Sequence, residues 1–436
     1  MFLFKTFFLP AELREAPARF KMSERTRSSG NHPVLRCVLP VSFIPWVPYE
    51  FTGYDSNMKV VFITRSTLLT VKGGDTIQVF QTAKHLARLG ISADVKLTRE
   101  KIDYAHYDLL HFFNITRPAD ILFHIQKAGK PFVITTILID YSDFDKHYRK
   151  GIAGFFLRFL SADNLEYIKT IARFLKGQDS LMTRSYLWKG QRRCIKEILG
   201  RAALLFSNSS METKRIDQRY GMKTDCVAVS NGVDPEMFAY NDQIEKDDCL
   251  VLCVARIEGI KNQINLIRAL NNTKYTLLII GSAAPNHQAY YRECRRIAAP
   301  NIHFMEFVDQ SDLVPYYQRA KVHVLPSWFE ACGLSSLEAA VMGCNIVVTA
   351  RGYTREYYGW HAHYCNPASP DSIFQAVNEA AASRFPKKLR EKILSAYTWS
   401  QAAGRIAKAY HHIQNTYEYP RRNNRIKRYS QPLRWF

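Results

Sequence analysis

From Met58 onward, short apolar runs alternate with stretches in which apolar residues recur every three or four positions. The runs KVVFIT (59–64), ADVKL (93–97), LLHFF (109–113), PFVITT (131–136) and ALLFSNS (203–209) read as strands of a first half. CVAVSNG (226–232) follows near the midpoint, then CLVLCVA (249–255), YTLLIIG (275–281), IHFMEF (302–307), VHVLPS (322–327) and NIVVTA (345–350). Between them, IQVFQTAKHLARL (77–89) and INLIRAL (264–270) carry helical spacing. Strands alternating with helices predict βαβ units and a mostly parallel sheet. Two such series in succession predict two Rossmann-like α/β domains joined near residues 225–245. Ligands of open α/β sheets sit beyond the carboxyl ends of the strands, so the expected site is a cleft between the two domains.

Residues 1–57 break this pattern: they carry Arg, Ser and Pro clusters without sustained periodicity. Met58 followed by a buried-looking strand resembles a chain start. The expectation is that 1–57 is a leader, either disordered or not translated. At 436 residues with 47% hydrophobic content, the chain has enough material for two cores and is not of disordered type. No apolar run reaches the roughly 18 residues of a spanning helix. MFLFKTFFLP is too short for that, ends in proline and lacks a small-residue cleavage site, so it is not read as a signal peptide. The nine cysteines show no pairing logic. Cys249 and Cys253 fall on one face of a strand, and no second Cys/His pair has zinc-ligand spacing. They read as reduced core thiols of a cytosolic protein.

The net charge of +21 changes the picture more. It favours an anionic partner: nucleic acid, an anionic membrane surface or phosphorylated substrates. Specific positions narrow the choice. Gly73-Gly74 follow the first strand and precede a helix expected near Thr76, where backbone amides can approach an anion; a plain connecting turn is equally consistent. Asn231-Gly232-Val233-Asp234 reads foremost as a turn. Arg256 and Lys261, in ARIEGIKNQ after a strand, suit a diphosphate as planar fork and point charge, or are simply solvated cations. The stretch LPSWFEACGLSSLEAAVMG (325–343) sets Glu330 and Glu338 eight positions apart in apolar surroundings. Ser335 or Ser336 is expected to start a helix, with Glu330 in the preceding loop and Glu338 in the first turn, where it would complement the helix dipole. Gly333 lets backbone approach a ligand closely. Acceptor-only carboxylates suit a hydroxyl-rich ligand.

The pattern Glu330-x7-Glu338, with Pro326-Ser327 before it and Gly333 between, resembles glycosyltransferase family 4, retaining enzymes of the GT-B fold. The resemblance runs from about Lys59 to Tyr410. It takes in Gly73-Gly74, Asn231-Gly232-Val233-Asp234, Arg256 with Lys261, and Gly352 with Glu356 in ARGYTREYYG. It implies a GT-B architecture: two Rossmann-like domains facing each other across a cleft, an acceptor-binding domain over 58–228 and a donor-binding domain over 229–396. It further implies a crossing C-terminal helix over 397–416, leaving a basic tail over 417–436. By the same resemblance Arg256 and Lys261 bind the donor diphosphate and Gly333, Leu334 and Ser335 add backbone amides. Glu338 accepts from the ribose hydroxyls, Glu330 orients the transferred sugar, and Gly73 and Gly74 line the acceptor side. Arg256, Lys261 and Glu330 are thus the expected catalytic set, with a nucleotide-diphosphate sugar (UDP or GDP) as donor and no cofactor or essential metal. Base contacts are expected from backbone around Phe307-Val308.

Two departures stand out. Where the family often carries a histidine beside the donor sugar, this chain has Ile137 or Leu138 in ITTILIDYSDFDKH, with Asp140 or Tyr141 as substitutes. Asn345 stands where proline is common. The surplus of cations has two candidate uses: 150–177, which interleaves Arg and Lys with aromatics like an interfacial helix, and the tail RRNNRIKRYSQPLRWF. The expected partners are therefore the donor, a glycan or lipid-linked acceptor and an anionic membrane surface. The setting implied is cytoplasmic, peripheral at the inner face of the plasma membrane, in cell-surface polysaccharide or lipopolysaccharide assembly. The alternatives are a GT-B phosphorylase or nucleotide-sugar epimerase, and a basic nucleic-acid-binding protein. The last explains the charge but not the paired glutamates, and it lacks zinc-finger or RNP-type motifs.

Overall fold

Strands buried on both faces read as unbroken apolar runs, and the computed structural model places a strand at each predicted run. It describes residues 58–142, 144–145, 160–175, 183–221 and 225–416. The leader 1–57, the tail 417–436 and both ends of the 150–177 stretch lie outside the described residues. The first sheet comprises β1 Lys59–Thr64, β2 Ser92–Leu97, β3 Leu109–Phe113, β4 Phe132–Thr135, β5 Leu204–Ser207 and β6 Cys226–Ala228, in the order β2-β1-β3-β4-β5-β6. The second comprises β7 Asp247–Val254, β8 Thr276–Ile280, β9 Ile302–Met305, β10 Ala320–Leu325, β11 Asn345–Thr349 and β12 His363–Cys365, in the order β12-β11-β10-β7-β8-β9. All pairings are parallel. These are two Rossmann-like sheets, so the α/β GT-B expectation holds.

The helices that position the site are α1 Gly74–Ala87, α2 Ala162–Leu175, α3 Tyr186–Leu199, α4 Ser210–Tyr220, α5 Gln263–Leu270, α6 Leu334–Val341, α7 Thr354–Tyr358 and α8 Trp399–Thr416. Helix α8 is sequence-remote from the first sheet, yet Ala402, Ala403, Ile406, Ala407 and Tyr410 complete that sheet's core with Val60, Phe62 and Val133. Its entry is fixed by backbone pairing: Val233 N–H donates to Tyr397 O and Trp399 N–H to Val233 O.

Three expectations need correcting. Helix α1 begins at Gly74 with Gly73 as cap, not near Thr76. Strand β12 had no apolar run to announce it, because a three-residue edge strand (HYC) is half-buried. Cys249 is exposed while Cys253 is buried, since the amino end of β7 extends past β8, whose pairing with it begins only at Leu250; only Cys253 of that pair is a core thiol.

In each sheet the strand order reverses once. In the first, chain connections leave in opposite directions from β1 and β3; in the second, from β7 and β10. A crevice opens outside the carboxyl ends at such points. The residues following β1, β7 and β10 therefore meet in one place.

Candidate functional site

The loop after β10 is the centre of this place. Gly333 caps α6 at φ 69, a left-handed conformation that side-chain-bearing residues rarely adopt. Gly333 O accepts from the N–H groups of Ser336 and Leu337, so the first N–H groups of α6, at Leu334 and Ser335, are the ones its end leaves over. Because Gly333 takes the capping position, α6 starts ahead of the serines. Glu338 consequently sits in the second turn rather than the first, and the dipole argument made for it from sequence does not apply.

Instead Glu338 is held by two donors: Gln310 Nε2 at 2.6 Å and Tyr317 Oη at 2.9 Å. Burial at 4% exposure pushes its carboxyl up to about 7, although both hydrogen bonds oppose the shift. A raised folded-state value makes this group's contribution to stability complete below its unfolded value and lost as pH rises through about 7. Glu338→Gln is therefore expected to flatten the fall in stability between pH 5 and 8, by roughly 3 kcal/mol at most. Denaturant melts across that range check it; parallel pH profiles for both proteins would refute it.

Glu330 lies in the loop at the end of β10, as expected. Its Oε2 accepts from Lys261 Nζ at 2.7 Å and Ser327 Oγ at 2.9 Å. Burial alone would lower the Lys261 ammonium; the Glu330 carboxylate outweighs it and holds the value above the ordinary lysine range. Lys261 is thus charged and Glu330 is its partner. Arg256 emerges after β7 and pairs with Glu258 at 2.9 Å; its side chain is 36% exposed. Its backbone is fixed: Gln263 Nε2, at the start of α5, donates to Arg256 O, and Ile257 bridges to Ala283.

The first domain closes on these groups. A Cβ placed on Gly73 would stand 3.4 Å from Arg256 Cζ, and one on Gly74 3.5 Å from Leu334 Cδ1. Lys72 Nζ lies 5.6 Å from the centroid of the exposed Phe307 ring. Ile139, Tyr141 and Phe144, after β4, pack on Ile260, Trp328, Phe329 and Tyr353. Of the substitutes considered for the missing histidine, Asp140 is committed to Arg215 at 2.8 Å, while Tyr141 belongs to this cluster. Ile137 has φ 45, an outlier for a β-branched residue. Its turn is held by buried Glu212, which accepts from Leu138 N–H at 2.6 Å, Thr136 Oγ1 at 2.6 Å and Asn208 N–H at 2.8 Å.

Two residues known from sequence only as parts of motifs make contacts that the sequence did not reveal. Glu356 caps α4 from across the cleft, accepting from Ser210 N–H and Ser210 Oγ at 2.9 Å each and from Met211 N–H at 3.1 Å. Asn231, read as a turn residue, buries its amide beside Cys332 Sγ (3.5 Å) and leaves Oδ1 without a partner. A buried oxygen without a partner is a capacity to accept from a donor group. The sequence signal for it was the Asn-Gly-Val-Asp string itself; for Glu356, the Gly-x3-Glu spacing.

The site thus offers two cations, two buried carboxylates and a helix amino end at one strand-order reversal. That set can hold a diphosphate and hydroxyl groups together.

Residues 248–383, which contain Arg256, Lys261, Glu330, Glu338 and the start of α6, match the family model described as "Glycosyl transferases group 1". Among curated proteins the chain is similar to a D-inositol 3-phosphate glycosyltransferase of Corynebacterium aurimucosum, 25% identical over 328 residues, covering 64% of this chain and 75% of that protein. Among solved structures it is similar to sucrose-phosphate synthase of Thermosynechococcus elongatus (TM-score 0.63, 16% identity, 83% of this chain and 100% of that one). It is also similar to HepE of Anabaena in complex with UDP and glucose (TM-score 0.57, 15% identity, 81% and 100%).

Proposed function

Because the chain is a glycosyltransferase of the group 1 family built on the GT-B fold, we propose that it moves a sugar from a nucleoside-diphosphate sugar to an acceptor hydroxyl with retained configuration. The observation that carries the reading is the meeting of Arg256, Lys261, Glu330 and the amino end of α6 where β7 and β10 diverge, opposite Gly73-Gly74. UDP or GDP is the donor nucleotide; HepE, of the same fold, was solved with UDP and with UDP-glucose.

In this reading the Lys261 ammonium and Arg256 guanidinium take the diphosphate, with the Leu334 and Ser335 amides at its other oxygens. The phosphate draws Lys261 away from sole pairing with Glu330, which frees Glu330 Oε1 and Oε2 for hydroxyls of the transferred sugar. Glu338 accepts from the ribose hydroxyls in place of Gln310. The bond from the anomeric carbon to the phosphate oxygen breaks while the acceptor oxygen bonds to the same face of that carbon. The acceptor's proton passes to the departing phosphate oxygen. Catalysis is charge stabilisation and positioning, with the acceptor entering from the side of Gly73 and Gly74. The acceptor is a glycan or a lipid-linked glycan of a cell-surface polysaccharide, met at an anionic membrane surface. No helix among the described residues is long and apolar enough to cross a membrane.

A panel of UDP-, GDP- and ADP-linked sugars titrated into the purified protein tests this. One donor is expected to bind saturably, and Glu338→Ala to weaken it by roughly 10–100-fold through loss of charge-assisted hydrogen bonds. Failure of every donor to bind would remove the nucleotide-sugar reading.

A further inference from the structure

Helices α2 and α3 of the first domain carry an apolar face that the described residues leave uncovered. On α2, Ile168, Ala172 and Leu175 follow the i, i+4, i+7 spacing of a single helix face, and all three are exposed, Leu175 at 77%. Phe174 is exposed beside them, and Leu187 and Trp188, in the first turn of α3, are exposed too, Trp188 at 70%. The two helices touch: Tyr167 Oη donates to Leu187 O, and the Tyr167 and Tyr186 rings lie 5.4 Å apart. A packed amphipathic helix directs its apolar stripe inward. Here the inward positions Asp163 and Leu165 are filled and a second apolar stripe faces out.

The free charge that the two helices and the turn before α3 carry has one sign, with Arg193 and Lys196 lying beyond a kink at Gly190 (φ 69). Each carboxylate of the two helices is consumed internally: Asp163 by Arg192 and Arg219, Glu166 by Lys169, Glu197 by Lys189 and Arg201. Arg184, Arg193 and Lys196 are exposed and form no ion pair among the described residues. A second copy of the chain would bring these cations against themselves. Nucleic acid would use the cations and leave Leu175 and Trp188 in water. An anionic lipid surface satisfies both, taking the apolar side chains at the headgroup–acyl boundary and pairing the cations with headgroups. Tryptophan suits that boundary because its ring is amphipathic.

We propose that the outward face of α2 with the start of α3 is the surface on which this protein docks to an anionic membrane. This rests on the reading given above and deepens it, giving the 150–177 stretch singled out from sequence a defined face, which α2 shares with the start of α3. The face connects to the site: Lys169 of α2 ion-pairs with Asp145 at 3.3 Å and lies 5.1 Å from the Tyr141 ring centroid, and Tyr141 packs against Trp328 and Phe329. Docking on α2 therefore sets the loop after β4, on the acceptor side of the cleft, beside the membrane.

The test is co-sedimentation of the full chain with phosphatidylglycerol–phosphatidylcholine vesicles and with phosphatidylcholine vesicles alone. The wild type is expected to bind the anionic vesicles and to lose binding at high salt. Ile168→Glu with Leu175→Glu is expected to weaken binding by about 100-fold or more, from about 1.5 kcal/mol or more per side chain no longer buried at 1.4 kcal/mol per decade. Arg193→Gln with Lys196→Gln is expected to weaken it about 30-fold, at about 1 kcal/mol per cation. Nucleotide-sugar affinity, measured on the same variants, should match wild type and shows that they fold. Wild-type vesicle binding in the first double variant would overturn the proposal and assign binding to another region, as would equal binding to both vesicle types. A concentration-dependent dimer abolished by Ile168→Glu with Leu175→Glu, without vesicle binding, would assign the face to a second copy instead. Vesicle binding with no donor affinity would sink the donor reading and leave this one standing.

Discussion

Arg256→Ala is expected to lower kcat by roughly 10²–10³-fold, the loss of about 2.7–4 kcal/mol that follows removal of one preorganised charge-stabilising donor. The structure makes this variant an unusually clean probe. Its guanidinium is more than a third exposed, and its ion pair is with a neighbour two residues on, Glu258. Such a pair contributes little to folding, so stability should stay within about 0.5 kcal/mol of wild type. Lys261 offers no such separation. Its removal strands the largely buried Glu330 carboxylate, and lost activity would be mixed with lost folding. The two cations also differ in what holds them. Lys261 is pinned by Glu330, whereas Arg256 is placed by its backbone and by the proximity of Gly73. If Arg256 acts on charge that builds as the diphosphate leaves, kcat should fall more than KM rises. Lysine at 256 should restore only part of the rate, because it lacks the planar fork. Steady-state kinetics with a saturating acceptor measure all of this. A kcat near wild type for Arg256→Ala would remove Arg256 from the mechanism.

The parts of the molecule legible in the sequence share a physical cause. Strands such as Val60–Ile63 and Ile346–Val348 are sealed on both faces, so their composition announces them without reference to anything distant. The placing of Arg256, Lys261 and Glu330 at strand ends was legible because each follows such a strand, whereas their expected roles came from the family resemblance. The illegible parts depend on chain far away. Glu338 draws its partners from Gln310 and Tyr317, 28 and 21 residues earlier, and no local pattern reveals that its carboxyl is pushed toward neutrality. Glu356 caps a helix 146 residues upstream. The start of α6 was misplaced because a serine pair is a good cap by preference, while the fold puts Gly333 there in a left-handed conformation. Ile137 is a similar case: its strained φ is imposed by the Glu212 carboxylate pulling on the next N–H, not by its own preference.

Gly352→Ala is expected to be the most damaging single-methyl addition at the site. The loops after β10 and β11 are joined backbone to backbone: Glu330 N–H donates to Arg351 O at 3.1 Å, and Tyr353 N–H donates to Glu330 O at 3.0 Å. Gly352 lies inside this bridge at φ 111, and a Cβ there would fall 2.0 Å from Glu330 O and 2.9 Å from Glu330 N. Neither atom belongs to a flexible side chain, so the Glu330 backbone must move by an ångström or more. Left-handed strain of about 1–3 kcal/mol adds to overpacking of about 1–3 kcal/mol. A total near 4 kcal/mol corresponds to a fall in Tm of about 8–16 °C for a domain of this size. Displacement of Glu330 also moves the partner of Lys261 and the residue proposed to orient the sugar, and a misplacement of about 1 Å is enough for roughly a 10²-fold loss of kcat/KM. Gly90→Ala is the matched control. Its φ of 80 is equally left-handed, but nothing lies within 4 Å of the added methyl, so it should cost about 1–2 kcal/mol and leave turnover intact. Thermal melts and turnover of the two variants side by side separate the effects. Equal losses in both would mean that conformation alone, and not the contact with Glu330, decides the outcome at Gly352.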